Sequence, residues 1–359
     1  MKIVILTPTL MPHDAIGNDV RHQCKAINQK VESKIYTQNY HKDEFEDFII
    51  SKDELNEIIK HKENIIIYHH GVLWEEGQEI LKSAKCRIFL KYHNITHKEF
   101  FEPYNVAYTD MCFRGRLQTK AIVDLDKVEK YICDSIYNSQ EILELGVSKD
   151  KISILAPFHK LDDFLNVPED KTLIKELSKT KTNLLFVGRF APNKGHRDMV
   201  EVINNYVTYY GRDIMLNIVG GQDEGLNNYI SEIKQLIADY DLEDVITIHD
   251  KISFPQLHTY YKYSDYFLLL SGHEGFCVPI LEAQMHKLPL IALDTTAVAE
   301  TLGENQLIFK ELDLDKFSAS IKILDENNSY REYLIKNGTL NFNNYTNQLL
   351  EQKLLTYIG

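Results

Sequence analysis

Short runs of apolar, mostly β-branched residues recur along the chain, and most end at turn residues. In the first 165 residues, such runs predict six strands, at residues 2–7, 33–37, 64–69, 87–93, 130–133 and 152–156. Most of these runs are apolar at consecutive positions, which is typical of strands that are covered on both faces. Helix-like stretches lie between several of them, at residues 19–28, 53–60 and 139–145. Strands alternating with helices predict a parallel, doubly wound sheet.

The same pattern restarts in the second part of the chain. Strands are predicted at residues 183–187, 215–219, 245–249, 266–270, 288–293 and 306–309, and helices at 196–206, 228–240, 254–261 and 279–286. We therefore predict an α/β protein of two Rossmann-like domains, residues 1–165 and 166–342, that face each other across a cleft. The charged stretch 158–182 is the predicted linker region. In open parallel sheets, ligands bind beyond the carboxyl ends of the strands.

Length and charge agree with this division and exclude one class of partner. A chain of 359 residues is long enough for two domains. With 40 basic and 53 acidic residues the formal charge is −13, which disfavours a nucleic-acid binder because such proteins need a basic face. The first 165 residues carry 22 basic and 26 acidic side chains, so they are the less acidic part. This asymmetry is compatible with an acceptor at an anionic membrane.

The cysteines and the apolar runs point to the cytoplasm. There are five cysteines, an odd number at wide spacings without a Cys-x-x-Cys motif, so neither a disulfide framework nor a cysteine zinc site is expected. The apolar runs are too short to span a bilayer, which takes about 20 residues. The apolar start of the chain contains Pro8 and lacks a small-residue cleavage site, which predicts a strand rather than a signal peptide.

Two cations follow the first predicted strand of the second half. Arg189 comes directly after Gly188 at the strand end, and Lys194 stands at the predicted start of the next helix. A helix amino terminus already carries about half a positive charge, so two cations there favour a bound anion such as a diphosphate. The alternative is a solvated turn in which Asn193 caps the helix and Arg189 pairs with a carboxylate.

Two glutamates flank the next predicted strand-to-helix turn. Pro279 suits a first helical turn, which places Glu274 in the loop and Glu282 in the first turn of the helix. The backbone N–H groups from Gly275 to Val278 are then available to ligand oxygens. In the alternative explanation, Glu274 is an exposed loop carboxylate and Glu282 is an acid that complements the helix dipole. The two glutamates could also be the carboxylate pair of a glycoside hydrolase. Such a pair needs a defined distance between its carboxyl groups, which the sequence spacing does not establish.

Four histidines, His69, His70, His93 and His97, gather at the ends of two neighbouring predicted strands. The last two are four residues apart, which is a helical metal spacing, but the region is predicted as strand end and loop. No carboxylate completes a clear ligand set. We therefore predict no metal site, and no bound cofactor either.

Several other motifs have surface or packing explanations. The acidic pairs in residues 124–126 and 313–315 lie in charged, helix-like stretches rather than at strand ends. Residues 220–221 are a glycine pair after a strand but lack the Gly-x-Gly-x-x-Gly pattern, which disfavours a nicotinamide dehydrogenase. Gly220 and Gly221 instead allow close approach of a nucleotide. Arg114, Arg116 and Lys120 form a basic patch, either a solvated face or a contact for lipid phosphate.

The order and spacing of the two charged motifs resemble a known family. Gly188-Arg189 with Lys194, followed by Glu274 and Glu282 around Gly275-Phe276 and Pro279, is similar to the retaining glycosyltransferases of family 4, which have the GT-B fold. The likeness covers essentially the whole chain and is strongest in the second half. In the first half, Gly17 stands for the glycine loop after the first strand, and residues 92–96 for a histidine-bearing strand end.

The resemblance implies a role for each matching residue. Arg189 and Lys194 would bind the donor diphosphate, and Glu282 the ribose hydroxyls. Glu274 and the N–H groups of Phe276 and Cys277 would hold the donor sugar, with His93 near the reacting carbon. The implied donor site therefore comprises Gly17, Gly188, Arg189, Lys194, Gly221, Glu274, Gly275, Phe276, Cys277, Val278 and Glu282, and the implied catalytic residues are His93, Glu274, Arg189 and Lys194. Cys277 departs from the pattern, since glycine is frequent there.

The implied activity is transfer of a hexose from a UDP- or GDP-linked sugar to a hydroxyl of a saccharide or lipid-linked acceptor, with retention and without metal. The C-terminal helix, within residues 343–359, is expected to return to the first domain. Cytoplasmic localisation is expected, with peripheral contact at the inner membrane face as an open alternative. The alternative functions are a nucleotide-sugar epimerase, a phosphorylase and a non-catalytic subunit that binds a nucleotide sugar. The phosphorylase is disfavoured because no pyridoxal-binding lysine motif is present.

Overall fold

The computed structural model describes residues 1–11, 14–42 and 45–359, and the chain divides into two compact units. The first unit consists of Met1–Lys98, Ala107–Lys160 and Tyr345–Gly359. The second consists of Glu99–Val106 and Leu161–Asn344. Both are α/β units built on a six-stranded sheet in which all the strand pairs are parallel.

The sheet of the first unit has the order β3-β1-β5-β6-β7-β8, and a small second sheet pairs β2 with β4. The strands are β1 (Ile3–Leu6), β2 (Thr9–Leu10), β3 (Ser33–Tyr36), β4 (Asn39–Tyr40), β5 (Ile65–His70), β6 (Arg87–Tyr92), β7 (Val128–Cys133) and β8 (Ile152–Ile154). All six residues of β5 are buried, as expected for a central parallel strand with helices on both faces.

The helices of the first unit are α1 (Ala15–Asn28), α2 (Lys52–Ile58), α3 (Glu75–Ser83), α4 (Val106–Asp124), α5 (Ile136–Glu144) and the C-terminal α14 (Asn347–Ile358). The last helix is anchored within this unit. Its Glu351 lies 2.9 Å from Nε2 of His22 on α1, and the Tyr357 hydroxyl donates to the carbonyl of Ile154 on β8.

The sheet of the second unit has the order β11-β10-β9-β12-β13-β14. Its strands are β9 (Thr182–Val187), β10 (Ile214–Val219), β11 (Ile246–His249), β12 (Tyr266–Leu269), β13 (Leu290–Leu293) and β14 (Leu307–Phe309). Its helices are α6 (Lys171–Leu177), α7 (His196–Tyr210), α8 (Asn227–Asp239), α9 (Phe254–Tyr263), α10 (Val278–Met285), α11 (Val298–Leu302), α12 (Leu314–Glu326) and α13 (Asn328–Phe342).

The predicted fold class is confirmed, because every predicted strand is present and each half of the chain forms a doubly wound parallel sheet. The predicted linker region is not an open connection. It contains the 3₁₀ helix Leu161–Asn166 and α6, whose N-cap Asp170 accepts from two backbone N–H groups. Helix α4 was not predicted, because arginines and polar residues interrupt its apolar positions and leave no continuous apolar stripe.

Candidate functional site

The carboxyl ends of β9 and β10 in the second unit lie against each other through glycines. The N–H of Gly188 donates to Val219, and the N–H of Phe190 donates to the carbonyl of Gly221. A Cβ on Gly220 would lie 1.7 Å from the carbonyl oxygen of Gly188, so only glycine fits there. Gly220 is therefore explained by packing against the neighbouring strand end rather than by nucleotide approach. Gly221 is exposed and has open space around it.

The segment after Gly188 turns sharply before α7. Pro192–Lys194 form one turn of 3₁₀ helix, and Gly195 has φ 71°, in the left-handed region. A Cβ there would lie 1.9 Å from the carbonyl oxygen of Leu270 on the adjoining loop. Helix α7 begins at His196, so Lys194 lies in the turn before the helix and not in its first turn.

Asn193 joins this turn to the loop after β12. Its carbonyl accepts from the N–H groups of Gly272 and His273, and its side-chain amide donates to the carbonyl of His273. Asn193 is therefore not the helix cap of the alternative explanation, since Gly195 holds that position. The three bonds fix the two loops relative to each other although they are about 80 residues apart in sequence.

The fixed loops bring Lys194 onto Glu274. The lysine Nζ lies 2.8 Å from both carboxylate oxygens, and the two side chains are 19% and 9% exposed. Glu274 is itself held by Thr296, whose hydroxyl accepts from the Glu274 N–H and donates to its carbonyl. Glu274 is therefore a buried partner of Lys194 and not an exposed loop carboxylate.

Arg189 stands apart from this pair. Its side chain is exposed, and within the described part of the chain it makes no hydrogen bond or ion pair. Among the described residues, the alternative in which Arg189 pairs with a carboxylate is therefore wrong. An exposed guanidinium at the end of a central strand is available to an incoming anion.

The turn before α10 has an unusual backbone. Cys277 is the N-cap with φ 77°, a conformation that favours glycine, and its side chain is buried. Helix α10 begins at Val278 rather than at Pro279, so Glu282 is the fifth helical residue and lies beyond the first turn. The prediction that Glu282 lies in the first turn of the helix is therefore wrong, because the helix begins one residue earlier than predicted.

Glu282 accepts a hydrogen bond from a residue on the neighbouring helix α9. The hydroxyl of Tyr261 on α9 donates to Oε2 of Glu282, and His286 stacks on the Tyr261 ring with centroids 5.2 Å apart. Burial of the carboxyl group raises the pKa of Glu282 to about 7, against the opposing effect of the Tyr261 hydroxyl. Tyr261 was not among the predicted site residues, because its segment carries no motif that links it to Glu282.

The backbone between the two glutamates offers further donors. Gly275 is partly exposed, and the carbonyl of Phe276 accepts from the hydroxyl of Thr301 at 2.6 Å. At the start of α10, Pro279 has no N–H and the N–H of Ile280 donates to the carbonyl of Cys277, so Val278 supplies the N–H that remains there. Val278, Lys194, Glu274 and Glu282 all belong to the second unit.

Gly17 and His93, the other two predicted site residues, belong to the first unit. Gly17 lies in the first turn of α1, where its N–H donates to the N-cap Asp14, and not in a loop after β1 as predicted. His93 follows β6 and has both ring nitrogens engaged. Nδ1 lies 2.8 Å from Asp134, and Nε2 lies 2.8 Å from Nδ1 of His69.

The remaining motifs have local partners. His70 Nε2 lies 2.8 Å from the hydroxyl of Thr119, and His97 lies 3.9 Å from Glu141. Each member of the basic patch on α4 pairs with a carboxylate of the same unit, and the three pairs are Arg114–Glu75, Arg116–Glu141 and Lys120–Asp124. The patch is therefore neutralised locally. Asp313 is the N-cap of α12.

The part of the chain that contains this site is similar to a known protein family. Residues 169–340 match the family model of glycosyl transferases group 1. The match lies inside the second unit and contains both charged loops. Most of the second unit is therefore similar to glycosyl transferases group 1.

Curated relatives include proteins of surface-polysaccharide synthesis. The chain is 26% identical over 213 residues to an uncharacterized 41.2 kDa protein in the cps region of Klebsiella pneumoniae, covering 56% of this chain and 55% of that protein. It is 23% identical over 200 residues to the O-antigen chain mannosyltransferase RfbU of Salmonella typhimurium, covering 56% and 49%. The chain thus spans about half the length of these relatives.

Solved structures match the whole chain in fold. HepE of Anabaena in complex with UDP and glucose superposes with a TM-score of 0.78 at 13% identity, covering 100% of this chain and 99% of that one. WaaG, a glycosyltransferase involved in lipopolysaccharide biosynthesis, gives a TM-score of 0.73 at 11% identity, covering 99% of each chain. These likenesses establish the GT-B fold. Among the described residues, no helix combines the length and apolarity needed to cross a membrane.

Proposed function

We propose that this protein transfers a hexose from a UDP- or GDP-linked sugar to a hydroxyl group of a saccharide or lipid-linked acceptor, with retention of anomeric configuration. The observation that carries the proposal is the Lys194–Glu274 pair, set by Asn193 inside the matched domain. In this pair, the Lys194 ammonium can bind the diphosphate and the Glu274 carboxylate can accept hydrogen bonds from the attached sugar.

The proposed donor site separates three recognition tasks. Arg189, exposed and unpaired among the described residues, and Lys194 bind the diphosphate oxygens. Glu282 accepts hydrogen bonds from the ribose hydroxyls. Glu274 and the backbone donors before α10 hold the sugar, and the Cys277 side chain narrows the space beside them.

In the proposed mechanism, the diphosphate leaves as negative charge grows on its bridging oxygen. Arg189, Lys194 and the N–H of Val278 at the start of α10 stabilise this charge without a divalent cation. A phosphate oxygen of the leaving group takes the proton from the acceptor hydroxyl on the same face of the sugar. Retention is inferred from the motif resemblance. The pairing of Glu274 with Lys194 makes Glu274 a poor attacking nucleophile, which favours direct transfer on one face of the sugar over a double displacement.

The relatives support a polysaccharide acceptor. RfbU is named as an O-antigen chain mannosyltransferase, and a 26% identical Staphylococcus aureus protein is named as a capsular polysaccharide biosynthesis glycosyltransferase. HepE binds UDP and glucose. We infer that this chain acts on a growing surface glycan.

A direct assay tests the function. Purified protein is incubated with UDP- and GDP-hexoses and oligosaccharide acceptors, and proton NMR follows diphosphate release and the configuration of the new anomeric centre. We expect retention at an unchanged rate when Mg²⁺ or Mn²⁺ is added. An inverted product or an absolute need for added cation would contradict the mechanism.

The same assay separates the alternatives. An epimerase would convert one nucleotide sugar into another without releasing diphosphate. A non-catalytic subunit would bind a donor and leave it intact. Either outcome would replace the proposal.

A further inference from the structure

Tyr261, on α9 of the second unit, is a fully buried tyrosine whose ring packs against three other aromatic side chains. The rings of Phe267 and His286 are nearly parallel to it, with centroids 6.1 Å and 5.2 Å away. The ring of Phe164 lies edge-on, with its centroid at 6.0 Å. Because these contacts leave the ring little freedom, the hydroxyl of Tyr261 has one fixed direction.

That hydroxyl bonds to one oxygen of Glu282 and leaves the other without a partner. Tyr261 donates to Oε2, whereas Oε1 accepts from none of the described residues, and the side chain of Glu282 is half-buried. Burial and the adjacent carboxylate raise the pKa of the Tyr261 hydroxyl well above its usual value of 10, so the hydroxyl keeps its proton and acts as the donor. Glu282 therefore has one oxygen bound by the protein and one oxygen available to a ligand hydroxyl.

We propose that Tyr261 is a positioning residue for nucleotide binding, because its hydrogen bond to Oε2 turns the Glu282 carboxylate so that Oε1 meets the ribose hydroxyls. This inference rests on the proposed function, in which Glu282 accepts hydrogen bonds from the ribose. A glutamate side chain has several rotatable bonds, so without a fixed donor its carboxylate would sample several orientations. Ligand binding would then have to order it, at a cost in affinity.

The same hydrogen bond favours the ionised form of Glu282. Burial raises the pKa of this carboxyl group to about 7, and the Tyr261 hydroxyl acts in the opposite direction. Removal of the hydroxyl should therefore raise the pKa of Glu282 further and keep the carboxyl group protonated over a wider pH range. A protonated carboxyl group accepts hydrogen bonds less strongly than a carboxylate, so ribose binding should weaken.

The other titratable groups around Glu282 change their charge little between pH 6 and pH 8. Burial raises the pKa of the Cys277 thiol well above its usual value of 9, and Tyr261 also stays neutral. Burial lowers the pKa of His286 to about 4. Nδ1 of His258 lies 3.1 Å from Nε2 of His286, and burial lowers its pKa as well, so both histidines are neutral over most of this range.

The remaining groups near the turn and α10 are paired or do not titrate. Lys194 and Glu274 form the ion pair described above. From α11 the hydroxyl of Thr301 donates to the turn, and from α13 the amide of Asn341 donates to α10, and neither side chain titrates. A rise of nucleotide affinity across this range that is absent in Glu282→Gln therefore reports on Glu282.

Tyr261→Phe tests the proposal, since it removes the hydroxyl and keeps the ring. A panel of UDP- and GDP-hexoses is titrated into the full-length protein by calorimetry, and the sugar that binds the wild type is followed from pH 6 to pH 9. Wild-type affinity should rise with a midpoint near pH 7. In Tyr261→Phe the midpoint should move upward by about one pH unit or more, and the affinity at pH 7 should be at least about fivefold lower.

Tyr266→Phe is the matched control. Tyr266 is also fully buried and donates to a carboxylate, that of Asp325, but it lies at the amino end of β12, away from the strand ends that carry the proposed site. This variant should keep the wild-type pH profile. The double variant Tyr261→Phe/Glu282→Gln should bind within about threefold of Glu282→Gln alone, because Tyr261 acts through that carboxylate.

Circular dichroism verifies the folding of each variant, and Tyr261→Met, which also lacks a donor, replaces Tyr261→Phe should the latter not fold. A Tyr261→Phe profile with the wild-type midpoint would overturn the inference and leave the proposed function standing. A further tenfold loss in the double variant would do the same, because Tyr261 would then act on the whole unit rather than through Glu282. Failure of the wild type to bind any member of the panel would overturn the proposed function, and this inference with it.

Discussion

The ammonium of Lys194 lies 2.8 Å from both carboxylate oxygens of Glu274, a residue 80 positions further along the chain. Without a ligand, the cation proposed to bind phosphate is therefore neutralised by the carboxylate proposed to bind the sugar. Donor binding must share Lys194 between Glu274 and the diphosphate. Because of this competition, substitutions of Lys194 and of Glu274 should have different effects on diphosphate binding.

Glu274→Gln should strengthen binding of a free nucleoside diphosphate while slowing transfer. Removal of the carboxylate charge leaves Lys194 fully available to phosphate, for a gain of about 3- to 10-fold in affinity. The sugar loses its partner, so kcat and kcat/KM both fall. Calorimetry with diphosphate alone and steady-state kinetics with the full donor measure the two effects. Weaker diphosphate binding in this variant would show that Glu274 does not compete for Lys194.

Arg189→Ala should weaken diphosphate binding without changing stability. A charge-assisted hydrogen bond contributes about 1.5–3 kcal/mol, which corresponds to about 10- to 150-fold in affinity. Nucleoside affinity should be unchanged, because the nucleoside lacks the phosphates. Arg197→Ala is the control, since Arg197 is exposed but pairs with Glu232. Parallel calorimetric titrations check this, and equal losses for nucleoside and diphosphate would argue against the assignment.

Affinity for a nucleotide sugar should increase between pH 6 and pH 8. Ribose hydroxyls donate to an ionised carboxylate, and the pKa of Glu282 in the free protein is raised to about 7. The ionised fraction then rises about tenfold over this range, and the dissociation constant should fall by up to that factor. A nucleotide sugar is the right probe because its diphosphate does not titrate there. Glu282→Gln should bind with a flat pH profile, and a persistent slope in that variant would point to another group.

The unliganded protein should show the opposite dependence in its stability. The folded pKa of Glu282 lies above its ordinary value of 4.5, so between about pH 4.5 and 7 the unfolded chain loses this proton first. Wild-type stability relative to Glu282→Gln should therefore fall as pH rises through that window and level off above it. Urea unfolding of both proteins at several pH values measures the difference. A constant difference across pH would mean that the carboxyl is not shifted.

Cys277 should tolerate glycine but not valine. Its φ of 77° favours glycine, and the strain of a side chain there is about 1–3 kcal/mol. Cys277→Gly relieves this strain while losing a small buried side chain, so stability should stay within about 1 kcal/mol of wild type. Cys277→Val adds β-branching and should lose about 2 kcal/mol or more. Thermal unfolding compares the three proteins, and Cys277→Gly should also accept bulkier donor sugars.

The fold could be predicted because its signal is local. Six consecutive apolar runs in each half, such as Ile65-Ile66-Ile67 of β5, favour buried parallel strands wherever they occur. Helix α4 could not be predicted in this way, since its face is interrupted by Arg114 and Arg116. Those arginines are accommodated by acids on α3 and α5, which only the folded unit brings near.

The candidate site was partly predictable for the same reason. Lys194 and Glu274 each follow a strand, so the position of both at one sheet edge follows from topology. Their direct contact does not, because it depends on the three hydrogen bonds of Asn193. The contact of Glu282 with Tyr261 joins two separate segments through side-chain geometry, which sequence spacing does not indicate.

The rate of diphosphate release tests the central claim most directly. Wild-type protein and Lys194→Ala are compared at equal concentration with each UDP- and GDP-hexose in the presence of an oligosaccharide acceptor. The wild type should release diphosphate from at least one donor, and the variant should do so at least 100-fold more slowly at the same donor concentration. Release from no donor, or equal release by both proteins, would contradict a glycosyltransferase site built on Lys194 and Glu274.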